Sequence, residues 1–217
     1  MTPNKEDYLK LIFELGGYEK KISNKSIVAG LNVSAASVSE MISKLEKDNY
    51  VKHSPYQGVQ LTDNGLKQAS ALVRKHRLWE VFLVEHLNYS WNDVHIEAEV
   101  LEHVTSSELA ERLELFLESP TVCPHGGIIP SKDQVIQEIK HPALSEVAAG
   151  QTVRIERVID ETELLDYLVS INLNINDVVT ITEIGAYEGS LTLTKADGTH
   201  SQLSPKAALN MFVSVVK

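Results

Sequence analysis

Apolar residues recur at helical spacing through the first two-thirds of the chain and alternate only in the last third. Tyr8, Leu11, Ile12 and Leu15 share one helical face behind Thr2-Pro3, a capping side chain with proline in the first turn, and Gly16-Gly17 ends the run. A second helix from about Ser23 turns Ile27, Val28 and Leu31 inward. After the short link Leu31-Asn32-Val33, Ser34 caps a third helix with the stripe Val38, Met41, Ile42 and Leu45. Two short helices, a tight turn and a third helix with small residues at its start predict a helix-turn-helix. Val51-Lys52-His53 and Val59-Gln60-Leu61 bracket Ser54-Pro55-Tyr56-Gln57-Gly58, which predicts a hairpin and therefore a wing. A long helix then starts near Asp63-Asn64 and runs past His76 and Glu80. Another, capped near Ser90, carries His95 through His103. A third opens at Thr105-Ser106-Ser107-Glu108 with capping-box spacing and turns Leu109, Leu113, Phe116 and Leu117 inward until Ser119-Pro120 stops it. These helices carry more apolar surface than one small bundle needs, so a symmetric dimer interface is expected.

From about residue 148 the pattern changes. Thr152–Val158, Val178–Ile184, Ser190–Thr194 and Met211–Val216 read as short strands, and Glu161–Ile171 reads as one helix with Leu164, Leu165, Leu168 and Ile171 apolar. Ala196-Asp197-Gly198-Thr199 has turn chemistry. The expected fold is mainly α with a small β domain: a winged helix over 1–73, a helical dimerisation and metal domain over 74–147, and a small barrel over 148–217. No internal repeat, low-complexity tract or phosphate-cradling glycine loop interrupts it.

Charge changes the picture. The net charge of -10 would argue against nucleic acid, but residues 1–77 carry 12 Lys and Arg against 8 Asp and Glu, and the remainder carries 8 against 22. A basic segment joined to a strongly acidic one suggests a polyanion-binding module coupled to a cation-binding one. Cys123 is the only cysteine, which excludes an intrachain disulfide and points to a reducing bacterial cytoplasm. Lys10 and Glu14 bracket the first apolar run, so no signal peptide is expected, and no apolar stretch approaches the roughly 18 residues of a membrane span.

The candidate chemistry lies on two helix faces. On the third helix Ala36, Glu40, Ser43 and Lys47 face outward, flanked by Ser37, Ser39 and Lys44. With Ser34 and Ala35 at its start, Lys25 before it, and Lys52 and Gln57 on the wing, these are the expected DNA contacts. On the later helices His95, Glu99, Glu102 and His103 stack at spacings of three and four residues, as do His76 and Glu80. Carboxylates crowded this way repel unless a cation sits among them. The alternative is a solvated acidic face. An N/O donor set suits Mn2+ or Fe2+ better than a soft ion. Cys123 and His125 could form a further ligand pair, or be an inert buried cysteine beside a surface histidine. Glu138-Ile139-Lys140-His141 has di-iron carboxylate spacing, but Pro142 disfavours helix there and no second such segment exists.

Glu6-Asp7-Tyr8-Leu9-Lys10, Arg74-Lys75-His76-Arg77-Leu78, Glu99-Val100-Leu101-Glu102-His103 and the Cys123 to Pro130 loop, in that order, resemble the signatures of the diphtheria toxin repressor family, in its three-domain manganese-responsive branch. The resemblance spans essentially the whole chain and implies an SH3-like, FeoA-type C-terminal barrel. It implies a primary metal site at Asp7, Glu99, Glu102 and His103 with His76 adjacent. It also implies a second site drawing on His76 or Glu80 and His95, with Cys123, His125 and Asp160. Asp7 and Glu99 stand where iron-responsive members have methionine and cysteine, which moves preference toward Mn2+, with Fe2+ second and Zn2+ or Cd2+ able to substitute in vitro. Lys10 stands where small two-domain manganese regulators place a carboxylate, so their binuclear site is not assumed. The implied protein is a cytoplasmic homodimeric repressor, not an enzyme, that binds a palindromic double-stranded operator when metal-loaded and controls metal-uptake genes. It has no membrane partner and no small organic substrate. A metal-dependent hydrolase using the same cluster, or a winged-helix regulator sensing an organic ligand, are the alternatives.

Overall fold

The computed structural model describes residues 1–136, 139–187 and 189–216, so the Glu138 of the discarded di-iron spacing lies outside the described residues. The chain divides into two compact units. One comprises Met1–His76, Glu99–Leu115 and Ile129–Gln137; the other comprises Arg77–Ala98, Phe116–Ile128 and Glu138–Lys217.

The first unit is built on the expected winged helix. Helices α1 (Pro3–Glu14), α2 (Asn24–Leu31) and α3 (Ala35–Lys47) precede the hairpin β1 (Val51–Ser54) and β2 (Gly58–Leu61). Ser23 and Ser34 cap α2 and α3 by accepting from the Ser26 and Ser37 amides, whereas Thr2 begins α1 without a side-chain cap bond. Asn32 takes the left-handed conformation (φ 50) that turns the chain between α2 and α3. Leu9, Ile12, Ile27, Val38, Ile42 and Leu45 are almost wholly buried in one core with Val51 and Val59. At about 1.5–3 kcal/mol for each fully buried aliphatic side chain, that core fixes which face of α3 looks outward. On α2 only Ile27 is fully buried; Val28 and Leu31 pack at its margin. At the wing, Gly58 sits at φ 110, and a Cβ there would lie 2.3 Å from the Ile22 carbonyl oxygen. Only glycine closes the hairpin against that strand.

Helix α4 (Asp63–Leu87) leaves the wing, followed by α5 (Val94–Val104) and α6 (Ser107–Phe116). Ser106, not Thr105, caps α6: its hydroxyl accepts from the Leu109 amide at 3.1 Å, while the Thr105 hydroxyl donates to the Leu101 carbonyl. The capping-box expectation therefore fails by one residue. Within the first unit Arg74 of α4 pairs with Glu114 of α6 at 2.6 Å. Ile96, Val100 and Val104 are exposed at successive i, i+4 positions of α5. Leu109 and Phe116, expected to be buried by α6, are 44% and 61% exposed, whereas Leu113 and Leu117 are buried. The apolar residues of α6 point in two directions, and one chain covers only one of them.

The second unit contains β3 (Thr152–Val158), α7 (Thr162–Ser170), β4 (Val178–Ile184), β5 (Leu191–Lys195), β6 (His200–Leu203), α8 (Pro205–Leu209) and β7 (Met211–Val215). The strands form one antiparallel sheet in the order β6-β5-β4-β3-β7, with register shifts in β3 and β4 that bend it. Val153, Ile155, Val179, Ile181, Leu193 and Val213 line its core beneath Leu165 and Leu168 of α7. Strand β6 and helix α8 have no counterpart in the sequence reading. His200 and Gln202 break the apolar signal of β6, and α8 has five residues.

Candidate metal centres and nucleic-acid interface

Helix α1 turns Glu6, Asp7 and Lys10 toward Glu99, Glu102 and His103 of α5. His103 is held from both sides of its ring: Nδ1 lies 2.7 Å from Glu6 Oε2, and Nε2 lies 2.9 Å from Asp7 Oδ1. Glu102 is completely buried. Its Oε2 meets Lys10 Nζ at 2.9 Å and His76 Nδ1 at 2.5 Å. Its Oε1 makes no hydrogen bond among the described residues and lies 3.6 Å from His103 Nε2. Ligand atoms of Asp7, Glu102 and His103 all fall within 4.8 Å of one another. A buried carboxylate oxygen without a donor, facing an imidazole nitrogen and a second carboxylate, suits a hard divalent cation. Glu99 is outside this trio; its Oε1 lies 3.7 Å from Lys10 Nζ, and half its side chain is exposed.

Electrostatics agree with that description. Burial, helped by the Glu102 and Glu99 carboxylates, raises the pKa of Asp7 against the pull of His103 and Lys10. Burial opposes ionisation of Glu102, yet His76 and Lys10 hold its pKa below the usual glutamate value. Burial also opposes charge on Lys10, and Glu102, Glu14 and Glu99 outweigh it, so the ammonium persists. Glu102 is thus a ready anion, and Asp7 is the group whose charge lacks full compensation.

A second cluster lies within the other unit. Glu80 of α4 shares ligand-atom spacing within 4.8 Å with Cys123 and His125, all three buried, and likewise with His95 and Asp160. His125 Nδ1 is 3.0 Å from Glu80 Oε1 and 3.7 Å from Asp160 Oδ1, while its Nε2 meets the Trp91 carbonyl at 2.6 Å. His95 Nδ1 pairs with Asp160 Oδ2 at 2.7 Å. The loop is tight for a reason: Gly126 sits at φ 81, where a Cβ would meet the Glu156 carbonyl oxygen of β3 at 1.9 Å. This packing carries Cys123 and His125 against Glu80. Burial tends to lower the pKa of His125, but Glu80, Cys123 and Asp160 push it up to about 12. Burial and the Glu80 charge raise that of the Cys123 thiol. Nδ1 of His125 meets Glu80 without hydrogen-bond geometry among the described residues. Imidazole, thiol and carboxylates gathered this way fit a cation that would replace their protons.

The structure therefore places nine of the ten expected ligands in these two clusters, with Glu99 beside the first through Lys10. His76, implied for either site, contacts Glu102 and Lys10. Glu6 and Lys10 are the participants that the ligand reading missed. Both lie within one turn of Asp7, and that proximity was the available signal.

All eleven expected DNA contacts are exposed: Lys25, Ser34, Ala35, Ala36, Ser37, Ser39, Glu40, Ser43, Lys44, Lys52 and Gln57. Their chemistry is less open than the sequence suggests. Ser39 and Ser43 donate to the Ala35 and Ser39 carbonyls, Glu40 pairs with Lys44 at 2.7 Å, and Lys21 holds Gln57. The two hydroxyls keep lone pairs for donors but must rotate to donate to bases or phosphates.

A DNA-reading winged helix whose own first helix supplies a cation ligand is the architecture of a metal-responsive transcription regulator. Family models agree along the chain: the N-terminal DNA binding domain of iron dependent repressors matches residues 1–59, their metal binding and dimerisation domain 62–131, and the FeoA domain 143–215. The iron-dependent repressor IdeR of Mycobacterium leprae is 31% identical over 81% of this chain and 82% of its own length. The diphtheria toxin repressor of Corynebacterium efficiens is 30% identical over 74% of this chain and 71% of its own. Among solved structures, the manganese regulator SloR superposes with a TM-score of 0.86 at 44% identity over the whole of both chains. ScaR with bound Zn2+ gives 0.87 at 40% identity, over 98% of this chain and 99% of that one. The chain belongs to the iron-dependent, or diphtheria toxin, repressor family of metal-dependent transcriptional repressors. That membership sets aside the hydrolase and organic-ligand readings.

Proposed function

We propose that this protein is a manganese-dependent repressor in which one divalent cation, held by Asp7, Glu102 and His103 with Glu99 completing the set, couples metal supply to DNA binding. The observation that carries this reading is the position of Asp7. It lies on the first helix of the reading head, yet shares a cluster with Glu102 and His103 of α5. Cation binding there neutralises carboxylates that otherwise repel, and it favours the arrangement in which they converge. Glu6 fixes the tautomer of His103 by accepting from Nδ1, which leaves Nε2 to ligate. The donors are oxygen and imidazole nitrogen, which supports Mn2+ first and Fe2+ second. Glu80, Cys123, His125, His95 and Asp160 would hold a second ion.

The exposed faces of α5 and α6 support a homodimer, and two reading heads in a dimer suit a palindromic operator with half-sites one helical turn or a multiple apart. On this reading 1–73 reads DNA, 74–147 dimerises and binds metal, and 148–217 is the FeoA-type domain. No helix is long and apolar enough to cross a membrane. A regulator of this kind acts on cytoplasmic DNA, and genes for metal uptake are its expected targets. The test is a duplex selected from a random pool, followed by fluorescence anisotropy. Affinity should rise with Mn2+, fall with chelator, and drop steeply with salt as phosphate contacts release counterions. Binding that is indifferent to a chelator would refute the corepressor role.

The second cluster has its own signature. Cys123 holds its thiol proton and His125 its ring proton to high pH, so both must be released on ligation. Affinity at this centre should then climb with pH, by about tenfold per proton per pH unit, or about 100-fold per unit between pH 6 and 8. Calorimetry in buffers of different ionisation enthalpy should find about two protons released per ion, and about one in Cys123→Ser. No proton release would mean that neither residue is a ligand.

A further inference from the structure

Lys10 is a buried cation inside a cation-binding cluster. Its side chain is 7% exposed, and its ammonium touches three of the groups around the site: Glu102 Oε2 at 2.9 Å, His76 Nδ1 at 3.1 Å and Glu99 Oε1 at 3.7 Å. Glu102 is divided by this contact. One carboxylate oxygen is committed to Lys10 and His76, and the other is turned toward Asp7 and His103 without a hydrogen bond among the described residues. The geometry points to Lys10 as a resident cation that fills a second ion position beside the Asp7–Glu102–His103 centre, limits that centre to one divalent ion, and aims Glu102 Oε1 at it. The inference rests on the ligand reading above.

The reasoning is electrostatic. Glu99, Glu102 and His76 would by themselves make a second set of hard donors sharing Glu102 with the first. An ammonium lodged among them supplies the positive charge that such a set requires, and it repels a further divalent ion at contact distance. It also gives buried Glu102 a permanent partner, so the carboxylate need not protonate or turn away when the cell holds no free metal. Lys10 acts through Glu102 and is a positioning residue.

The test counts manganous ions on the full-length dimer by equilibrium dialysis and reads their coupling by electron paramagnetic resonance. Lys10→Glu should bind one more Mn2+ per protomer than the parent, with spectral broadening that reports two ions sharing a carboxylate. Lys10→Gln, which removes the charge without adding a ligand, should show the same extra ion at lower affinity. An unchanged count in both variants overturns the inference. Should the variants fail to fold, reductive methylation of the parent decides: Lys10 must stay unmodified both without metal and with saturating Mn2+. Labelling that appears on loading would show the incoming ion displacing the ammonium and would also overturn it. These readouts are independent of DNA. Ions counted as expected on a protein whose DNA affinity ignores Mn2+ would end the repressor mechanism and leave the role of Lys10 standing.

Discussion

Glu102→Ala should lose metal-dependent DNA binding altogether and should be the most destabilising substitution in the first cluster. The carboxylate is completely buried and accepts from Lys10 and His76 through one oxygen. Removing it strands an ammonium that is 7% exposed. Breaking a buried pair by deleting one partner costs about 3–5 kcal/mol, because the surviving charge has nowhere to go. The same deletion removes the oxygen that faces Asp7 and His103. Thermal denaturation should therefore show a large drop, and Mn2+ should restore neither the melting temperature nor DNA affinity. Glu102→Gln separates the two effects, since its amide oxygen can still accept from Lys10 while its ligand charge is gone. It should be more stable than the alanine variant and equally unresponsive to metal. A glutamine variant that responds to Mn2+ as the parent does would remove Glu102 from the ligand set.

Asp7→Ala should behave in the opposite way, stable but uncoupled. Asp7 is 42% exposed at its side chain, and its elevated pKa marks a charge that the metal-free protein holds with incomplete compensation. An exposed position near a helix start rarely costs more than about 1 kcal/mol on truncation. Fold and dimerisation should survive, and Glu102 and His103 should still bind an ion with modestly reduced affinity. What disappears is the contact from the reading head. Loss of a coupling of about 1–3 kcal/mol corresponds to roughly 5–150-fold in metal-activated DNA affinity. Anisotropy titrations of parent and variant with Mn2+ measure it. If the variant is activated like the parent, the cation acts without Asp7 and the switch works through the dimer interface alone.

The contrast between these two residues shows where sequence was sufficient. Helical spacing aligned His95, Glu99, Glu102 and His103 on α5, and capping serines with apolar stripes placed α2, α3 and the wing. Long-range packing was invisible to it. Spacing presented the four α5 residues as one set, but the structure separates their partners: His103 engages Glu6 and Asp7, Glu102 engages Lys10 and His76, and His95 pairs with Asp160. Lys10 and Glu102 are 92 positions apart. No periodicity within one helix reveals that a lysine of α1 neutralises a glutamate of α5. Leu109 and Phe116 were misread for a related reason. Apolar character marks a residue for burial without saying whether its own chain or a partner covers it. The β6 strand and α8 were too short and too polar for any pattern to separate them from a loop.

The account claims that cation binding at Asp7, Glu102 and His103 and DNA binding at α3 are coupled equilibria. Coupling is reciprocal, so the most direct measurement is Mn2+ affinity with and without saturating operator duplex, set beside DNA affinity with and without saturating Mn2+. Both ratios should be equal and should lie at roughly 5–150-fold in the parent, and both should collapse toward one in Asp7→Ala. Manganese affinity that is the same with and without DNA, in a protein that binds both, would contradict it.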